Sequence, residues 1–143
     1  MPANNKPIYT LTPDVSNNGT TGFATTMNTA TADYTGVSAN HVLVHTAGAN
    51  GSYVRRLRFK AIGTNVATVV RIYLNNGSTN GTATNNVFIG ELSLPNITAT
   101  NIAATVDIDY SLEFALQAGF RIYTGLGTTV AAGWIPAAIS GQY

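Results

Sequence analysis

The chain of 143 residues contains no cysteine. A disulfide framework and a thiolate metal site are therefore excluded, and the fold must rest on its own apolar core. A chain of this length can bury such a core as a single domain. Charge is nearly as scarce: Asp, Glu, Lys and Arg make up 9% of the residues, where a soluble domain usually has about 25%. The formal net charge is +1, which excludes the strongly basic class of general nucleic-acid binders. No run approaches the roughly 18 apolar residues of a membrane-spanning helix. The start, Met1-Pro2-Ala3-Asn4-Asn5-Lys6-Pro7, lacks the apolar centre of a secretion signal. Assembly in a cytoplasm is the expectation. There is no G-x-x-x-x-G-K-[ST] phosphate loop, no G-x-G-x-x-G ahead of a helix and no G-x-S-x-G nucleophile turn. No apolar stripe recurs at 3.6 residues, so helix is limited to a turn or two.

What takes the place of charge is Thr and Asn, together about a quarter of the chain. A surface so poor in charge repels its neighbours weakly and suits burial against copies or a partner. The stretch from Tyr53 to Asn75 reads as two strands joined at Gly63-Thr64-Asn65. Strand alternation places Val54, Arg56, Arg58 and Lys60 on one side of the first, and Arg55, Leu57, Phe59 and Ala61 on the other. In the second, Val66, Thr68, Val70, Ile72 and Leu74 form a stripe at period two. Further strands are expected at 23–31, 42–46, 87–94, 102–110, 120–124 and 130–139. Residues 112–116 continue at period two or close one helical turn. Asn50-Gly51 is the strongest hairpin signal. Eight or nine short strands with turns between them predict an all-β antiparallel sandwich over residues 23–143, and the long connections favour a jelly roll. Residues 1–22 read either as a disordered tail or as an extended N-terminal arm whose Ile8, Tyr9 and Leu11 are apolar handles for a neighbouring subunit.

Four of the seven basic residues, Arg55, Arg56, Arg58 and Lys60, fall within six positions. Such a ribbon either docks on an acidic or phosphate surface, or is a solvated face that discourages edge pairing. Asp107, Asp109 and Glu113 form an acidic cluster. Paired carboxylates suit Ca²⁺ or glycoside hydrolysis, and equally suit salt bridges to the ribbon. His41 and His45 lie too far apart along a strand to share a metal. No metal site and no cofactor are expected. The tyrosines and Trp134 are either core or a sugar-stacking surface, the latter placing Trp134 and Tyr123 with loop 77–86 in a glycan-binding module.

The run from Val54 to Asn76-Gly77, the stop at Leu94-Pro95-Asn96, Ala118-Gly119-Phe120-Arg121-Ile122-Tyr123, Gly133-Trp134 and the terminal Gly141-Gln142-Tyr143 together resemble the capsid decoration, or cement, proteins of tailed bacteriophages. The resemblance implies a jelly-roll body, a homotrimer and residence on the virion surface. It also implies a major capsid protein as partner, with no catalytic residues, no direct nucleic-acid contact and no membrane. The candidate contact residues are then Ile8, Tyr9 and Leu11 of the arm with Arg55, Arg56, Arg58 and Lys60 of the ribbon. The alternative is the glycan-binding module of a tail fibre or adhesin.

Overall fold

The computed structural model describes residues 9–16, 25–31 and 33–143. Strands β1 (Thr12–Ser16), β2 (Val42–Thr46), β3 (Ser52–Ala61), β4 (Thr64–Asn65), β5 (Thr68–Asn75), β6 (Asn86–Leu94), β7 (Ile97–Thr98), β8 (Ile108–Leu116), β9 (Arg121–Leu126) and β10 (Trp134–Gln142) are joined by loops and one 3₁₀ turn at Ala83–Asn85. The protein is all-β, and its long strands form two antiparallel four-stranded sheets, ordered β1-β10-β3-β8 and β2-β9-β5-β6. The two-residue strands β4 and β7 pair separately. Among the eight long strands, every connection changes sheet except β5 to β6.

One core lies between the sheets. Val54, Leu57, Phe59, Trp134 and Ala138 enter it from the first sheet, and Val44, Val70, Ile72, Ile122 and Leu126 from the second. Apart from Val54, which a bulge sets three residues before Leu57, these residues sit at alternating positions of their strands, which is why the period-two reading located the core. The expected β3–β5 hairpin does not form. The chain leaves one sheet at Ala61 and joins the other at Thr68, because both strands carry an apolar face that must be buried against its opposite. Asn65 holds the crossing. Its amide donates to the carbonyls of Ile62 and Gly133 (both 2.9 Å), and its Oδ1 accepts from Gly133 N (2.6 Å) and Ala132 N (3.2 Å).

Several local expectations are corrected. No strand spans 25–31; that segment makes two isolated bridges, Met27 to Trp134 and Ala30 to Leu126. β8 begins at Ile108, and the preceding 99–107 is irregular, with Ile102 and Val106 facing solvent rather than a core. Residues 112–116 remain strand, and the last strand starts at Trp134 and runs to Gln142. Thr12–Ser16, assigned to the arm, is the edge strand of the first sheet, in register from Thr12 opposite Gln142 to Ser16 opposite Ala138. Ile8 lies outside the described residues.

The two outer faces differ. Segment 33–41, with Thr31, covers the outside of the β2-β9-β5-β6 sheet. Tyr73 donates from its hydroxyl to the Asp33 carbonyl at 2.8 Å, and Arg71 donates to the Thr31 carbonyl at 3.1 Å. The Arg71 guanidinium also lies 4.2 Å from the Tyr34 ring centre. Tyr34 in turn meets Phe88 edge-on. The close approach needs Gly125, where any Cβ would overlap Thr31 and His41. The outside of the other sheet carries the ribbon.

Candidate functional site

All four ribbon cations sit on the outer face of β3, although strict alternation assigns Arg55 to the core side. A β-bulge is the reason. Val54 pairs with Phe114 and Arg56 with Ser111, so Leu112 and Glu113 together oppose Arg55. On the other side Ser140 faces Val54 and Ile139 faces Arg56, leaving Arg55 unmatched. The extra residue resets the phase. Val54 and Leu57 are both fully buried, while Arg55 and Arg56 between them face outward.

The ribbon is neutralised from the neighbouring strand. Arg58 and Asp109 are directly opposite in register, and their contact is bidentate, Nε to Oδ1 at 2.9 Å and Nη2 to Oδ2 at 3.2 Å. Lys60 Nζ donates to Asp107 Oδ1 and to the Thr105 carbonyl, each at 2.6 Å. Arg56 reaches Asp109 at 3.4 Å, Arg58 reaches Asp107 at 3.4 Å, and Arg55 lies 3.7 Å from Glu113. The Arg58 hydrogen bond holds the Asp109 carboxyl below its usual value, and the Lys60 hydrogen bond does the same for Asp107. Both carboxylates are thus held ionised, which removes the proton a general acid needs. Of the readings open for the acidic cluster, the structure shows the salt bridges to the ribbon: four cations meet three carboxylates in a cross-strand lattice. Among the described residues no group of three or more His, Asp or Glu is placed to hold a metal.

Trp134 and Tyr123 do not form a sugar-binding surface. Trp134 is fully buried between the sheets, and Tyr123, opposite Tyr73 on the covered outer face of the second sheet, is 9% exposed. Loop 77–86 is tied down by its asparagines. The Asn86 amide donates to the carbonyls of Asn80 (2.8 Å) and Thr82 (3.3 Å), and the Asn85 amide to that of Thr79 (2.9 Å).

Apolar surface collects in two other places. On the arm, Tyr9, Leu11 and Val15 stand two and then four residues apart and are all exposed, Leu11 at 82%. In register, Val15 lies opposite Ile139 and thus beside Arg56, so this stripe borders the charge lattice. At the end of the sandwich where β3 leaves and β8 enters, Ile62, Val66, Ile102 and Val106 are exposed, Ile102 at 96%. The β4–β7 pair and a bond from Ala99 N to the Gly63 carbonyl bring these two loops together.

Two constellations were not legible in the sequence. His45 Nε2 lies 2.7 Å from Ser52 Oγ, with Asp14 Oδ2 3.8 Å from His45 Nδ1. The order resembles a nucleophile, base and orienting acid, but Ser52 and His45 are both fully buried. The trio is a polar seam joining β1, β2 and β3. Its rim is Gln142, which donates to Asp14 at 2.7 Å and accepts from Gly48 N at 2.8 Å. The second constellation is Tyr53, whose hydroxyl donates to Glu113 Oε2 at 2.6 Å. Both depend on strand register, for which the sequence carries no direct signal. Comparison with protein-family models, with curated proteins and with solved structures finds no match to this chain.

Proposed function

We propose that this protein is a structural component of a tailed-phage virion that binds the outside of the capsid and bridges neighbouring coat subunits. The observation that carries the proposal is the placement of the exposed apolar residues. Leu11 and Val15 on the first sheet's edge, with Val66, Ile102 and Val106 at one end, make a surface that favours being covered. The charge-poor composition and the sequence resemblance point the same way. The order β1-β10-β3-β8 facing β2-β9-β5-β6, with all but one connection changing sheet, supports reading the sandwich as the jelly-roll body that the resemblance implies.

The mechanism is mass action: a ligand that binds the assembled shell and not its separated subunits stabilises the shell by its binding free energy. A trimer multiplies modest contacts through effective concentration. Arg55, Arg56, Arg58 and Lys60 act here as a rigid, nearly neutral face that sets orientation. The apolar residues contribute most of the contact, with Tyr9 and Leu11 the arm's share. The reading is non-enzymatic and needs no cofactor.

Co-sedimentation with expanded capsids of the encoding phage tests this. Wild-type protein is expected to pellet with the shells, and Leu11→Asp combined with Ile102→Asp is expected to abolish pelleting while the circular dichroism spectrum stays that of a β protein. Absence of the chain from purified virions rejects the proposal.

A further inference from the structure

The N-terminal stretch Tyr9–Leu11 is laid across the end of β10. Leu11 N donates to the Gln142 carbonyl at 2.8 Å, and Thr10 packs where a side chain on Gly141 would otherwise stand. Between this stretch, β3 and the chain's last residue lies a cleft of about 340 Å³ lined by Tyr9, Thr10, Tyr53 and Tyr143. A smaller hollow of about 170 Å³ shares Thr10 and Tyr53 with it and extends toward Arg55 and Ser140. Three of the chain's seven tyrosines thus meet at one opening, although they are far apart in the sequence. Tyr9 is 75% exposed, so its ring is offered to solvent.

The wall beside Tyr53 is polar and strained. Tyr53 donates to one carboxylate oxygen of Glu113, and Arg55 approaches the other. Glu113 has φ of 53°, the only positive value at a non-glycine among the described residues. A side chain held in that region is costly, and such positions persist where the surroundings over-determine them, often at ligand sites. Here the bulge that turns Arg55 outward also turns the Glu113 carboxylate toward Tyr53.

We infer that the Tyr9–Tyr53–Tyr143 cleft, with Arg55 lining the hollow that adjoins it and Glu113 bonded to Tyr53, binds a neutral carbohydrate. Aromatic rings present a flat apolar face with a polar rim, which matches a pyranose: C–H bonds on one face, hydroxyls around the edge. The Glu113 carboxylate accepts from one hydroxyl and the Arg55 guanidinium donates to its neighbour. Because their charges cancel, the wall favours a neutral sugar over an anionic one. The larger cleft falls at the small end of the range of roughly 300–1,000 Å³ in which ligands bind, room for one or two rings. The inference does not rest on the capsid reading, since capsid binding and glycan binding use different variants and different assays.

The test is an array of neutral oligosaccharides of glucose, galactose, mannose and N-acetylhexosamines, with sialylated and sulfated sugars and peptides alongside, followed by calorimetric titration of any that are retained. At least one neutral glycan is expected to bind saturably. Tyr53→Ala and Glu113→Gln are each expected to weaken it at least tenfold, and Tyr34→Ala, on the other sheet, to leave it unchanged. Tyr9→Ala, at a mostly exposed ring, is expected to weaken binding without disturbing the fold, which covers the case in which Tyr53→Ala fails to fold. The inference is overturned if no neutral glycan binds saturably, if only anionic sugars or peptides bind, or if binding survives both tyrosine substitutions.

Discussion

Asn65 is a single polar side chain on which a sheet-to-sheet crossing depends. It is 1% exposed, and both of its functional atoms are used twice. Replacing it with Leu keeps the volume but takes a partner from the Ile62 carbonyl and from the Ala132 and Gly133 amides, of which Gly133 is buried. The Gly133 carbonyl keeps its bond from Ile62 N. Each buried group left unsatisfied costs about 1–3 kcal/mol, so Asn65→Leu is expected to lower stability by about 2–4 kcal/mol, read as a fall in the urea midpoint at unchanged slope. His45 and His41 show the same logic with a proton. Burial pushes both imidazoles below their usual value of about 6.5, against the pull of Asp14 on His45 and of Asp33 on His41, with Arg71 adding to the depression at His41. The unfolded chain therefore binds more protons than the folded one just below that pH. Their contribution to stability is full above about pH 6.5 and is lost as pH falls through the folded values. Urea midpoints measured from pH 7.5 down to 5 are expected to decline, and less steeply in His45→Gln. A flat profile would contradict neutral, buried imidazoles.

At the scale of elements, the covering segment over the second sheet depends on a missing side chain. Gly125 of β9 faces outward in register with Arg71, and Thr31 and His41 occupy the space its Cβ would take. Gly125→Ala forces that segment off the sheet. The expected loss is about 1–3 kcal/mol, the usual range for overpacking, with faster amide exchange confined to residues 31–41 if the sandwich beneath is intact. Tyr73 offers a second readout. Its hydroxyl pKa is pushed up to about 12, chiefly by burial under the same segment. In Gly125→Ala, spectrophotometric titration is expected to show that phenol ionising closer to the ordinary value of about 10. The ribbon belongs to this scale too: its cations were legible in the chain, while their neutralisation came from the facing register of β8.

At the scale of the whole molecule, a charge-poor sandwich with two exposed apolar areas is expected to associate. On the proposed reading, sedimentation velocity gives a trimer mass, and Val66→Asp with Val106→Asp shifts it toward monomer or removes capsid attachment, depending on which contact that end serves. A lone monomer that also fails to bind shells would leave those surfaces without a role.

Alternation of apolar residues by itself determined the all-β class, the run of strands and most of the core, because a pleated strand half-buried in a sheet imposes period two on its own sequence. The absence of cysteine, of phosphate-loop motifs and of a 3.6-residue stripe determined what was missing: disulfides, nucleotide-binding loops and long helices. Tertiary structure alone decided which strands are neighbours. That choice put β3 and β5 in opposite sheets, set Arg58 against Asp109, buried Trp134 and Tyr123, and gathered Tyr9, Tyr53 and Tyr143 at one opening. The bulge at Arg55 lay beyond the sequence for the same reason. Periodicity is a property of one strand, whereas register, bulges and clefts are properties of strands in contact, and contact is settled by how the two sheets bury one another.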